Sequence, residues 1–180
     1  MSKQALILID IQNDYFPGGK WTLDGADQAA DNAARLLAAA RQRGDLVVHV
    51  RHEFESAEAP FFTPDSQGAA IHPKVAPQAG EPVVLKHKVN AFLGTDLKTT
   101  LDQHGVGALT IAGSMSHMCI DAATRAAADF GYDVTVVHDA CATLPLDFDG
   151  KQVPAAHVHD SAMAALAFAY AKVVKTDELV

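Results

Sequence analysis

The chain has 180 residues, of which 49% are hydrophobic and 20% charged, a composition typical of a globular protein, and we expect one domain over residues 1–180. No apolar run reaches the roughly 18 residues that a membrane span needs, and the N-terminus lacks a secretory signal. We therefore expect a cytoplasmic protein without a membrane partner. The formal net charge of −8 argues against nucleic acid as a partner.

Strand and helix signals alternate along the whole chain. Short apolar runs predict buried strands, and amphipathic or alanine-rich stretches predict helices. In chain order these are strand 5–9, helix 26–43, strand 46–50, strand 83–86, helix 95–104, strand 108–112, a helix from Cys119, strand 133–137, helix 153–170 and strand 172–175. Six strands alternating with helices indicate a three-layer α/β/α fold with a parallel, doubly wound sheet.

Residues 51–82 form the longest stretch without a convincing helix or strand signal. Five prolines, several phenylalanines and scattered polar residues interrupt it. A loop of this length in a compact domain is usually functional, as a wall or lid of a binding site. The loops at this edge supply the following candidates for a substrate pocket: Tyr15, Phe16, Trp21, His52, Phe54, Phe61, Phe62, Asn90 and His117.

Three chemically complementary residues lie at the carboxyl ends of predicted strands. Asp10 follows the first strand, Lys86 ends the third, and Cys119 begins the helix after the fourth. Ligands of doubly wound folds bind at this edge of the sheet. The three together favour a reactive site over an ordinary ion pair at a sheet edge.

The position of Cys119 favours a nucleophilic thiol. A helix N-terminus lowers the pKa of a thiol, and its free N–H groups can bind an oxyanion. The competing interpretation is a buried cysteine that fills the core. The other cysteine, Cys141, has no acid or lysine at matching spacing and is interpreted as packing.

Three segments resemble the isochorismatase-like cysteine hydrolases, and the resemblance extends over essentially the whole chain. They are ALILIDIQNDYF near the start, KHKVNAF from Lys86, and AGSMSHMCIDAATRAAADFGYDVTVVHDA from Ala112. The resemblance implies a sheet order of 3-2-1-4-5-6. It also implies a homo-oligomer, a dimer or tetramer, for which Phe61 and Phe62 are candidate exposed contacts.

The same resemblance implies roles for individual residues. The family's aspartate, lysine and nucleophile fall on Asp10, Lys86 and Cys119, with Lys88 as the alternative lysine. A cis peptide is implied between Ser114 and Met115. The backbone N–H groups of Met115 and Cys119 are implied to form an oxyanion hole.

The residues and the resemblance together favour hydrolysis of a C–N bond in a small molecule, an amide, urea, imide or lactam, through a thioester on Cys119. Two alternatives stay open: vinyl-ether hydrolysis of the isochorismatase type, whose members lack the cysteine, and a non-catalytic binding protein on this fold. Some members of the family bind metal through an aspartate and histidines after strand two. His52 and His72 do not reproduce that pattern, so we expect neither metal nor cofactor.

Overall fold

The computed structural model describes residues 3–180 and contains one large sheet, one small hairpin and four α-helices. The large sheet contains β1 (Lys3–Ile9), β2 (Leu46–His52), β3 (Val83–Lys86), β4 (Val106–Ser114), β5 (Asp133–Ala142) and β8 (Lys172–Val174). The hairpin is β6 (Leu146–Phe148) and β7 (Lys151–Val153). The helices are α1 (Ala26–Arg43), α2 (Leu97–Gln103), α3 (Asp121–Asp129) and α4 (Ala155–Ala169).

The six strands of the large sheet are parallel and lie in the order β3-β2-β1-β4-β5-β8. This confirms the predicted doubly wound order, in which β8 takes the place of the predicted sixth strand. The antiparallel hairpin β6–β7 was not predicted, although Asp149 and Gly150 form the Asp-Gly pair typical of a tight hairpin turn. Both residues have positive φ, 50° and 72°.

Helices cover both faces of the sheet because side chains alternate along each strand. On β1, Leu6 and Leu8 pack into the cluster that contains the apolar face of α1. Ile7 and Ile9 pack into the opposite cluster, which receives apolar side chains from α2, α3 and α4. None of the helices between residues 3 and 180 combines the length and hydrophobicity that crossing a bilayer requires.

Gly113 brings the carboxyl ends of β1 and β4 close together. It pairs with Ile9 and has a φ of 142°, a region that favours glycine. A Cβ atom at this position would overlap the carbonyl oxygen of Ile9. The close approach therefore depends on glycine, and it places the residues after Ile9 beside those after Gly113.

The stretch between β2 and β3 is irregular, as predicted, except for a single 3-10 turn at Pro73–Val75. Two buried polar residues after β1 hold it in place. Gln12 donates hydrogen bonds to the carbonyl oxygens of His52, at 2.8 Å, and Ala69, at 2.7 Å. Asp14 accepts one from the backbone N–H of Phe62 at 2.8 Å.

Candidate active site

The carboxyl edge of the sheet brings Asp10, Lys86 and Cys119 together. The Nζ atom of Lys86 lies 2.8 Å from Oδ2 of Asp10 and donates a hydrogen bond to Sγ of Cys119 at 3.3 Å. The side chains of Asp10 and Lys86 are completely buried. Because β3 is separated from β1 by β2, Lys86 reaches inward past a neighbouring strand to make these contacts. The trio contains Lys86 and not Lys88, whose ammonium lies at the surface, 3.7 Å from Glu55.

The backbone turns sharply at both sides of this trio. Asp10 has a φ of 53°, and its N–H donates to the carbonyl oxygen of Val50 at 2.9 Å. Met115 has a φ of 68°. The predicted cis peptide between Ser114 and Met115 is wrong: all peptide bonds in residues 3–180 are trans, and the left-handed conformation of Met115 makes the turn instead.

Cys119 lies in a π-type turn, Ser116–Ile120, that leads directly into α3. The carbonyl oxygen of Met115 accepts hydrogen bonds from the N–H groups of Met118, at 2.9 Å, and Ile120, at 3.2 Å. These bonds fix the thiol at the start of the helical segment. The sequence predicts a position in the first turn of a helix, and the structure places Cys119 in the turn that precedes α3.

The predicted oxyanion hole is wrong for one of its two donors. The N–H of Met115 donates to the carbonyl oxygen of Ala142 at 2.8 Å, because β4 and β5 continue to pair at Ser114 and Ala142. The N–H of Cys119 makes no backbone hydrogen bond outside its own turn within residues 3–180. Of the two predicted donors, the N–H of Cys119 is therefore the one that no partner outside its turn occupies.

Burial and charge keep the thiol of Cys119 protonated in the resting protein. Burial raises its pKa, the carboxylate of Asp10 raises it further, and Lys86 partly offsets both. The sequence predicts a lowered pKa from the helix N-terminus, and this prediction is wrong because desolvation dominates. For Lys86, burial lowers the pKa, but the negative charge of Asp10, together with the contact to the sulfur of Cys119, outweighs burial and leaves it raised.

His52 is a further polar neighbour of Lys86. Its Nδ1 lies 3.1 Å from Nζ of Lys86, which also donates to the carbonyl oxygen of Lys88 at 3.1 Å. An ammonium only donates, so Nδ1 must accept and the ring proton must be on Nε2. Burial and then the charge of Lys86 lower the pKa of His52 to about 4, so its ring is neutral at pH 7. The Nε2 atom is buried and has no hydrogen-bond partner within residues 3–180.

Gln12 positions His52 and was not predicted from the sequence. Besides donating to the carbonyl oxygen of His52, it accepts a hydrogen bond from the N–H of that residue at 2.7 Å. The side chain of Gln12 is completely buried. Its position two residues after Asp10 could have indicated this role. A buried side-chain amide has to form hydrogen bonds, and the neighbouring backbone provides the partners.

A pocket of about 260 Å³ opens above the sulfur of Cys119. Its walls are mainly aromatic and aliphatic. The residues that line it are Tyr15, His52, Phe54, Phe61, His87, Lys88, Val89, Met115, Met118 and Cys119. Four of the side chains predicted for the pocket, Tyr15, His52, Phe54 and Phe61, therefore lie in its wall.

The other predicted pocket side chains lie elsewhere. Phe62 is completely buried behind the wall, with its ring 4.5 Å from that of Tyr15. Trp21 stacks on Phe61 at 4.8 Å. The remaining contacts are Phe16 with the ring of His72 at 3.8 Å, Asn90 Oδ1 with the N–H of Phe92 at 3.0 Å, and His117 Nδ1 with Thr143 Oγ1 at 2.9 Å.

Sequence reasoning missed His87, Lys88, Val89 and Met118 as parts of the wall and placed Met115 only in the oxyanion hole. Their positions beside reactive residues in the sequence could have indicated them. His87, Lys88 and Val89 follow Lys86 directly, and Met118 precedes Cys119. Side chains beside a reactive residue at a strand end or helix start face the same opening. Proximity to Lys86 and Cys119 was therefore more informative than aromatic character.

The histidines considered as metal ligands make other contacts. Nδ1 of His52 lies 3.1 Å from Nζ of Lys86, and His72 stacks on Phe16. Across residues 3–180, no three histidine, cysteine or acidic side chains lie close enough together to hold a metal ion. The expected absence of metal stays a prediction.

A doubly wound sheet with a cysteine, a lysine and an aspartate at its carboxyl edge defines a class of α/β proteins with a nucleophilic cysteine. The Isochorismatase domain model matches residues 4–178, and the chain belongs to the isochorismatase family of hydrolases, as predicted.

Similar proteins agree with this assignment. The isochorismatase family protein YddQ of Bacillus subtilis is 50% identical over 96% of each chain. A solved isochorismatase-family structure from Oleispira antarctica is 58% identical, with a TM-score of 0.96 over 99% of this chain and 96% of that one. The maleamate amidohydrolase of Pseudomonas putida is 34% identical over 76% of this chain and 71% of its own.

Proposed function

We propose that this protein is a cysteine hydrolase that cleaves a C–N bond of a small molecule through a thioester on Cys119. One observation carries the proposal: the buried ammonium of Lys86 contacts both the carboxylate of Asp10 and the sulfur of Cys119, and Cys119 lines a pocket. A nucleophile, a base and a fixed positive charge are the groups that such a reaction needs.

The first step is attack of the sulfur on the substrate carbonyl. The proton of the Cys119 thiol moves to Asp10, and the thiolate formed in this way makes the new C–S bond while the π electrons of the carbonyl pass to its oxygen. This transfer does not change the net charge of the buried trio, because the thiolate replaces the carboxylate as the anion paired with Lys86. Lys86 has three N–H donors and four neighbouring acceptors, so a donor can shift from Asp10 to sulfur as the charge moves. The N–H of Cys119 is the candidate donor to the oxyanion.

The second step breaks the C–N bond. Asp10 returns its proton to the substrate nitrogen, the amine or ammonia departs, and the acyl group stays on sulfur as a thioester. Asp10, again a carboxylate, then removes a proton from water as its oxygen attacks the thioester. The acid is released, and the proton on Asp10 returns to the sulfur to restore the thiol.

The family relatives support the C–N bond as the target. The maleamate amidohydrolase of Pseudomonas putida is an amide hydrolase by name and is 34% identical to this chain over 151 aligned residues. Vinyl-ether hydrolysis and simple binding would each leave Cys119 without a chemical role. The completely buried Lys86 would then hold a charge beside a sulfur that does nothing.

The test is a screen of small amides, ureas and lactams for release of ammonia or amine, followed by rapid quench and intact-protein mass spectrometry. We expect an acyl adduct on Cys119, and loss of turnover in Cys119→Ala. The matched control is Cys141→Ala, because Cys141 donates to the carbonyl oxygen of Val137 and lies outside the trio. Turnover without an adduct, at near wild-type rate in Cys119→Ser, would overturn the proposal.

A further inference from the structure

We propose that the substrate is an uncharged amide with an apolar body, an inference that rests on the proposed function and names its substrate class. The wall of the cavity above Cys119 is mainly apolar.

The wall offers apolar contact on several sides. The rings of Phe54 and Phe61 meet edge to face, with centroids 5.1 Å apart and planes at 87°. Tyr15 lies 5.8 Å from Phe61, and Met115 and Met118 complete the surface near the sulfur. Aromatic rings supply large apolar contact surfaces, and methionine adapts to the shape of an apolar ligand.

The wall lacks a free positive charge. Lys86 is already paired with Asp10, and His52 is neutral with Nδ1 turned to Lys86. Within residues 3–180, no arginine lines the cavity. His87 donates from Nδ1 to the carbonyl oxygen of Glu53 at 2.7 Å. The side chain of Lys88, the lysine of the wall, is 59% exposed at the rim beside Glu55.

A substrate carboxylate would therefore bind weakly inside the pocket. It would lose its water among aromatic rings without a counterion, a cost that unpaired buried charges do not recover. The protein as a whole also repels anions, since its net charge is −8. Maleamate, which carries a carboxylate, is thus a poor match to this pocket, although an amidohydrolase for it is a relative.

The preference of the pocket for neutral over anionic molecules can be measured without knowing the substrate. Iodoacetamide and iodoacetate have nearly the same size and both alkylate cysteine, but only the second is an anion. At pH 8, we expect the ratio of the two alkylation rates at Cys119, iodoacetamide over iodoacetate, to exceed that of glutathione by at least about tenfold. A ratio equal to that of glutathione, or lower, would overturn the inference.

Two variants sharpen the measurement. Met118→Lys introduces a cation into the wall beside Cys119, and we expect it to lower the ratio by at least about tenfold. Gln42→Lys adds the same charge at an exposed position near the end of α1, and should leave the ratio unchanged. An equal effect of both variants would show that the overall charge and not the wall discriminates, and would overturn the inference.

Matched amides separate this inference from the proposed function. We expect benzamide and crotonamide to have kcat/KM values at least about tenfold above those of maleamate and succinamate. Cys119-dependent hydrolysis that favours the two anions would overturn the substrate class and leave the proposed function standing. Neutral selectivity in alkylation without hydrolysis of any amide would support the character of the pocket and count against the function.

Discussion

The ammonium of Lys86 and the carboxylate of Asp10 form an ion pair of 2.8 Å from which solvent is completely excluded. Removing one partner leaves the other as an uncompensated buried charge. We expect Lys86→Met to lower the free energy of unfolding by about 3 to 5 kcal/mol and to slow hydrolysis by orders of magnitude. Urea denaturation and steady-state kinetics measure the two effects.

The double variant Asp10→Asn with Lys86→Met is the control for this prediction. It removes both charges, so it should recover much of the lost stability while staying inactive. A loss of stability in the double variant equal to the sum of the losses in the two single variants would contradict a coupled pair.

Asp10→Asn should separate alkylation from hydrolysis. The carboxylate of Asp10 raises the pKa of Cys119, whereas Lys86 lowers it. Replacing Asp10 with asparagine therefore lowers that pKa, increases the thiolate at neutral pH, and should speed alkylation of Cys119 severalfold. Hydrolysis should fall by at least about 100-fold, because the amide cannot carry the proton.

The measurement is the rate of alkylation against pH, with peptide mapping to assign the site. Lys86→Met should shift the profile in the opposite direction. Cys141 should label more slowly in every variant, since its thiol donates to the carbonyl oxygen of Val137 at 3.3 Å, whereas the sulfur of Cys119 accepts a hydrogen bond from the ammonium of Lys86. Preferential labelling of Cys141 would refute the assignment of Cys119 as the reactive thiol.

His52 should make the protein less stable as the pH falls. Its pKa is about 4 in the folded protein and near 6.5 when unfolded, so the unfolded chain binds more protons between these values. The free energy of unfolding should drop by on the order of 3 kcal/mol from pH 6.5 to pH 4 through this residue alone. Urea denaturation of the wild type and of His52→Asn over this range isolates the effect. Parallel curves for the two proteins would exclude it.

Gly113→Ala should disturb both the sheet and the trio. The new Cβ would overlap the carbonyl oxygen of Ile9, next to Asp10, and the φ of 142° is unfavourable for alanine. We expect a loss of several kcal/mol in stability. The matched control is Gly105→Ala. Gly105 also has a positive φ, but no atom lies within 4 Å of the position that its Cβ would take. This substitution should therefore lower the free energy of unfolding by only about 1 kcal/mol. Thermal melts of both variants decide the comparison.

The positions of Asp10, Lys86 and Cys119 could be predicted because they depend on strand ends. Parallel strands deliver their carboxyl ends to one edge, so three reactive residues at such ends must lie near one another. The order of the strands came from resemblance. The actual contacts of Lys86, including the one with His52, depend on the reach of a side chain past β2, which periodicity does not describe.

The errors have local physical causes. β5 runs on to Ala142, five residues beyond its predicted end, and thereby takes the N–H of Met115 that an oxyanion hole would need. The loop between β2 and β3 has no periodicity, so nothing in the sequence shows which of its rings face inward. Phe62 has a φ of 47° and is held by Asp14, which turns it behind the pocket wall.

The predicted contacts for a homo-oligomer need correction. Phe61 and Phe62 are not exposed aromatics, because the first lines the pocket and the second is completely buried. The two most exposed aromatic rings in residues 3–180 are Phe148, at 79%, on the hairpin and Phe168, at 92%, on α4. We expect a homo-oligomer that Phe148→Ser or Phe168→Ser weakens, as measured by light scattering at micromolar concentration. A monomeric wild type would refute the prediction.

The bonds of Gln12 and Asp14 have a consequence for how a ligand arrives. Both residues follow β1 directly, and they hold the backbone of His52, Phe62 and Ala69 in an otherwise irregular loop. The aromatic surface is thus assembled before any ligand is present, and little ordering entropy is lost on association. A ligand therefore meets a preformed pocket and needs no loop closure. The pocket discriminates between ligands by shape as soon as they bind.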